Sequence, residues 1–140
     1  MTRAFFSLVA GAGLLLGALS ATAQDRDEPF HNDRNAYFHG EHWHARLFER
    51  VKEDVEHVRS STWPRGGDDF RLDRTIHELD ELQGKMASGA YDERELGHVI
   101  ETLGRVASYN RMDQRERDII NDDVNRLREY RDHHADWDRH

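Results

Sequence analysis

The chain has 140 residues, no cysteine, 20 Lys+Arg against 28 Asp+Glu, and a formal charge of −8. Without cysteine there is no disulfide framework, no thiol nucleophile and no thiolate metal site. The acidic balance argues against nucleic acid and anionic membrane surfaces as partners, since both need a basic footprint.

Arg3 precedes an apolar run from Ala4 to Leu19 that Gly11, Gly13 and Gly17 interrupt. Ala21-Thr22-Ala23 follows as a small-x-small triplet, and the composition turns polar at Gln24. This three-part pattern predicts a secretory signal peptide over 1–23, removed after Ala23. The run is shorter than the roughly 20 residues a spanning helix needs, so no stable membrane insertion is expected once it is removed. A bacterial envelope compartment or the medium is the expected location, because small proteins exported elsewhere often rely on disulfides. Arg3 is the only charge in 1–23, so the mature 117 residues keep 19 Lys+Arg and 28 Asp+Glu, a formal charge of −9.

Residues 24–39 are charged, contain Pro29 and show no periodic apolar pattern up to about Asn35. They read as a flexible leader. Helical spacing then begins. Leu47, Phe48, Val51, Val55 and Val58 form one stripe, and Leu72, Ile76, Leu79, Leu82 and Met86 a second. Leu96, Val99, Ile100, Leu103, Val106 and Ala107 form a third, and Ile119, Ile120, Val124, Leu127 and Tyr130 a fourth. Steps of three and four residues define an apolar face on a helix, and no stretch alternates with period two.

The breaks carry their own chemistry. Pro64 and Gly66-Gly67 end the first amphipathic helix, with Asp68 or Asp69 available to cap the second. Gly89 and Asn110 suit helix ends that need a left-handed residue. Asp92 stands three residues before Glu95, a capping box flanked by Tyr91 and Leu96 as a hydrophobic staple; Asp113 and Glu116 repeat the device. Glu81 with Lys85, and Arg50 with Asp54, read as ion pairs on outer helix faces. Gly97, Gly104 and Ser108 line up beside the third apolar stripe, which predicts a close approach by a neighbouring helix or ring. The fold expected is all-α: a small antiparallel bundle of three to four amphipathic helices over 40–134, with an acidic, His-containing tail at 135–140. Leu, Ile, Val and Phe number 21 of the 117 mature residues, so its core is thin.

Two groups of residues are candidate sites. His39, Glu41, His42 and His44 are the ligand types that zinc, copper or nickel take when thiolates are absent. On a helix His39 and His42 share a face while His44 points away, and the H-E-x-x-H spacing is missing. These residues therefore read first as a polar helix start, with a weakly bound divalent metal as the alternative. Trp43, Trp63 and Trp137 stand outside the apolar stripes. They are expected to cover the bundle ends, or to bind a partner. His77 and His98 read as isolated core-edge or surface histidines; His133 and His134 diverge by about 100° on a helix, so they do not chelate one ion together and read as part of a frayed acidic C-terminus.

Signatures of catalysis are missing: there is no G-x-S-x-G, no phosphate loop and no EF-hand. Paired acids such as Asp122-Asp123 read as ordinary helix surface. The architecture resembles that of small helical envelope-stress proteins of the Spy type, although their L-T-x-x-Q motif is not present. The expectation is a non-enzymatic envelope protein, without cofactor, that binds another protein or a peptide; low-affinity divalent-metal buffering is the alternative.

Overall fold

A computed structural model describes residues 21–61, 68–109, 112–137 and 139, the side chains of 21–27 and 68 excepted. The apolar run of the expected signal, the break at Trp63, Pro64 and Gly66-Gly67, the expected stop at Asn110, and His140 lie outside the described residues. Among the described residues five α-helices and one 3-10 turn follow in order: α1 Ala21–Phe38, the turn Trp43–Arg46, α2 Leu47–Ser61, α3 Asp68–Ala87, α4 Glu93–Ala107 and α5 Gln114–Trp137. No strand occurs among the described residues, and none of their helices is long and apolar enough to cross a membrane.

Two compact units divide at Gly40. In the first, α1 covers the stretch expected to be a flexible leader, even though Pro29 lies inside it. Helix formation needs no apolar stripe, and this one has none, so the periodicity that reveals the other helices is silent here. Locally, the Arg34 guanidinium lies 4.7 Å from the Phe38 ring centroid.

In the second unit, contacts between helices fix their directions. Lys52 Nζ meets Asp80 at 2.6 Å and Arg59 meets Asp73, so α2 and α3 run antiparallel. Lys85 meets Asp92, and His98 lies 3.5 Å from Glu78, which sets α3 against α4. The Arg117 guanidinium donates to the Tyr109 carbonyl while Tyr91 stacks on His134, so α4 and α5 oppose each other as well. His57 lies 3.6 Å from Glu116 on α5, which joins the outer pair, α2 and α5.

Each apolar stripe points into this unit. On α4 all six stripe residues, Leu96 to Ala107, are buried, and Leu103 is fully so. Met86 and Ile76 are only half-buried, at the edge of the interior. The glycine expectation fails: a Cβ built on Gly97 or Gly104 meets nothing within 4 Å. No neighbour comes close, and both positions face open space.

The helix ends follow their sequence signals. Gly89 has φ 79°, and the Ala90 amide donates to the Lys85 carbonyl while the Gly89 amide donates to the Met86 carbonyl. This reversed double closure satisfies carbonyls that the end of α3 leaves open. Asp92 caps α4: its carboxylate accepts from the Glu95 amide at 3.0 Å. The Glu95 carboxylate is drawn to Lys85, which therefore pairs across the turn with Asp92 and Glu95 in place of the expected Glu81. The Glu95 amide and the Lys85 ammonium hold the Asp92 carboxyl below its ordinary range, and the two carboxylates raise Lys85 above its own. Asp113 repeats the cap on α5, accepting from the Arg115 amide at 2.8 Å.

Two readings of surface charge are corrected. Arg50 and Asp54 do pair, at 3.4 Å, but both are buried, Asp54 completely. Asp123 of the acidic pair is likewise fully buried, while Asp122 is half-buried. The cause is the thin core, whose apolar side chains do not fill the inner faces of α2 and α5.

Leu103→Ala is expected to cost about 2–4 kcal/mol by opening a cavity in α4, read as a lower urea midpoint; an unchanged midpoint contradicts the packing. Asp92→Ala is expected to lower the melting temperature at pH 7. The Asp92 carboxyl is depressed in the folded state, so its contribution is present above the unfolded value of about 3.9 and lost as pH falls through the lower folded one. The gap between parent and variant should close in strong acid. A gap of equal size at pH 7 and pH 2 contradicts a charged cap.

Candidate functional site

The chain leaves α1 at Phe38 and turns through His39 to His42 before the 3-10 turn. Gly40 sits in that turn, with its amide on the Tyr37 carbonyl at 3.0 Å. The stretch expected to begin a helix is therefore non-helical from His39 to His42, Trp43–Arg46 follows as a 3-10 turn, and α2 proper starts at Leu47. His39 belongs to the first unit, whereas Glu41, His42 and His44 belong to the second. The His42 and His44 rings lie 6.3 Å apart, edge to face, and Glu41 and His42 are exposed. Among the described residues no group of three or more His, Asp or Glu side chains is placed to hold one ion.

His44 turns toward a different set of rings. It stacks on Trp137 at 4.5 Å, with the planes 12° apart. Trp43 meets Trp137 edge to face at 5.4 Å, and the Arg126 guanidinium lies 5.0 Å from the Trp43 ring. Thus two of the three tryptophans come together, from positions 94 residues apart in sequence; Trp63 lies outside the described residues. Trp43 is buried and Trp137 half-buried. Such rings cover an end of the helices and leave one indole partly open.

The ring set continues along α5, which runs to Trp137 and absorbs part of the expected tail. Tyr130 meets Phe48 at 5.1 Å and Trp137 at 5.8 Å. His134 stacks on Tyr91 at 3.8 Å, so the second member of the His133-His134 pair has a structural task. Burial, and then the Glu93 carboxylate, push the Tyr91 phenol above its ordinary value, which keeps it neutral against that ring.

Beside these rings a cavity of about 510 Å³ opens between the start of α2, the end of α3 and the end of α5. Phe48, Met86, Ala87, Tyr130 and Trp137 supply its apolar lining. Arg46 and Glu49 stand in the same lining, joined by two hydrogen bonds of 2.8 and 2.7 Å. That guanidinium holds the Glu49 carboxyl below its ordinary range. The vacancy lies where the ends of α2, α3 and α5 diverge. Nothing in the lining forms a nucleophile with an adjacent base. The arrangement suits the uptake of an apolar group flanked by polar atoms.

Sequence reasoning missed Phe48, Met86 and Tyr130 as site residues, because each also fits an apolar stripe. The signal that could have found them is the coincidence of Trp43 and Trp137 at opposite ends of an up-and-down arrangement, which places those ends side by side.

Replacing His39, His42 and His44 together by Gln should remove one stacking partner of Trp137 and shift its fluorescence emission, while the far-ultraviolet circular dichroism stays the same. Identical emission spectra from parent and variant contradict the His44–Trp137 stack. Compared with known proteins, the chain matches no family model, no curated protein and no solved structure.

Proposed function

We propose that this chain is exported to a bacterial envelope compartment, loses residues 1–23, and acts there without catalysis by holding an apolar side chain of another protein or peptide. The bundle of α2 to α5 is the scaffold in this reading. The observation that carries it is the cavity lined by Phe48, Met86, Tyr130 and Trp137, beside a half-buried indole. An apolar group entering there leaves water and gains contact with a polarisable thioether and aromatic rings. The acidic surface favours partners with basic flanks by steering their approach.

A second reading, weak divalent-metal binding, is favoured by one observation: His42 and His44 lie on one turn with their rings 6.3 Å apart. Two imidazoles and water ligands suit copper, nickel or zinc. Ions held this way exchange readily and weaken as the imidazoles take up protons.

The test uses protein recovered from the periplasm, whose mass should begin at Gln24; a retained Met1 contradicts export with cleavage. That protein is titrated with a lysine- and serine-rich peptide carrying one Phe, and with the same peptide carrying Ser in its place. A saturable change in tryptophan emission is expected for the Phe peptide alone, and Ala87→Arg at the exposed cavity edge should abolish it. Equal responses to both peptides, or no effect of Ala87→Arg, overturn the peptide reading. A stoichiometric copper or nickel complex that His42→Gln with His44→Gln removes supports the second.

A further inference from the structure

Glu78 of α3 apart, the buried charges among the described residues of the second unit lie on α2 and α5. Arg50 and Asp54 of α2 and Glu116 and Asp123 of α5 are buried, and His57 of α2 is half-buried. On α2, positions 50, 54 and 57 step by four and three, one face of a helix. On α5, positions 116 and 123 are seven apart and share a face in the same way. His57 and Glu116 lie 3.6 Å apart, which fixes the register of the two antiparallel helices. Seven residues back along α2 and seven forward along α5, Arg50 stands level with Asp123. Both faces therefore meet in one seam, between α2 and α5.

The other three seams are built differently. The ion pairs across α2–α3 and α3–α4 each keep an exposed or half-exposed partner: Lys52 with Asp80, Arg59 with Asp73, Lys85 with Asp92 and Glu95, and exposed His98 with buried Glu78. Each of those seams also joins helices that are consecutive in sequence. The α2–α5 seam alone joins the first and last helices of the unit and has no connecting loop.

We propose that the bundle opens along the α2–α5 seam, from the His57–Glu116 end, with the α2–α3 and α4–α5 pairs parting as hairpins. A buried polar contact such as His57–Glu116 contributes little net stability, because desolvation offsets its attraction. When such a seam parts, its charges regain water, so parting costs less than for an apolar seam of equal area. The opposite end stays closed. There Trp43 packs on Trp137, Arg126 covers Trp43, and Phe48 meets Tyr130, and separating rings exposes apolar area with little return. The movement is a hinge about the aromatic end. It stands independently of the cavity reading, since the cavity lies at the end that stays shut.

The chain has no cysteine, so a single introduced thiol reports opening without interference. Val58 and Val51 are the same residue type on the same helix, both fully buried, near the His57 end and the aromatic end respectively. In the full mature chain, Val58→Cys and Val51→Cys are each labelled with an aromatic disulfide reagent under native conditions. Rates are compared with the global stability of the same variants. Val58→Cys should react at least about tenfold faster than global unfolding allows, and Val51→Cys at the global rate, as expected for a sub-global opening. Adding His57→Leu and Glu116→Leu should bring the Val58→Cys rate back to the global one. If that variant does not fold, His57→Met with Glu116→Met makes the same replacement with flexible side chains. Equal protection at the two valine positions overturns the proposal. Fast labelling of Val58→Cys that the apolar pair leaves unchanged also overturns it, because the end of α2 is then merely fraying.

Discussion

Residues 41–140 have too few apolar side chains to fill the space that four helices enclose, and most of their structure follows from that shortage. The interior is closed by α4, whose whole apolar stripe is buried, and by the valines of α2. Beside them lie the buried polar side chains of Arg50, Asp54, Thr75, Glu78, Glu116 and Asp123. A larger protein of this charge could keep such groups on the outside. Here burial of the aliphatic stem of Arg50 substitutes for missing hydrocarbon, and its guanidinium is then held near Asp54.

Charges used in this way favour one arrangement over others. An apolar face tolerates sliding by a turn; a face that must bring His57 to Glu116 does not. The aromatic end serves the same purpose by shape. Trp43, Trp137, Phe48 and Tyr130 interlock at edge-to-face and tilted angles, which fixes where α5 meets the start of α2. Between these two devices the helices are aligned at both ends of one seam. The rings do not pack without remainder, and the cavity beside Met86 is what is left.

The four amphipathic helices were legible because a stripe at steps of three and four is a direct trace of burial. So were the cap at Asp92 and the reversal at Gly89, where a local group needs a specific residue. α1 was not legible, because it has no apolar face to leave a trace. Nor was the inward turn of Arg50, Asp54 and Asp123. A charged residue beside an apolar stripe looks the same in sequence whether it faces water or a neighbouring helix, and only the partner helix decides. The site was half legible. Tryptophans outside the stripes marked Trp43 and Trp137, yet the cavity between them and α3 depends on how three helix ends diverge, a property of no single segment.

Alignment of the α2–α5 seam is the claim on which the ionic interior and the aromatic end both rest. A nuclear Overhauser spectrum of the mature protein tests it at both ends in one sample. The account predicts cross-peaks between the His57 ring and the Glu116 methylenes, and between the indoles of Trp43 and Trp137. Helical chemical shifts for α2 and α5 with neither set of cross-peaks would contradict it.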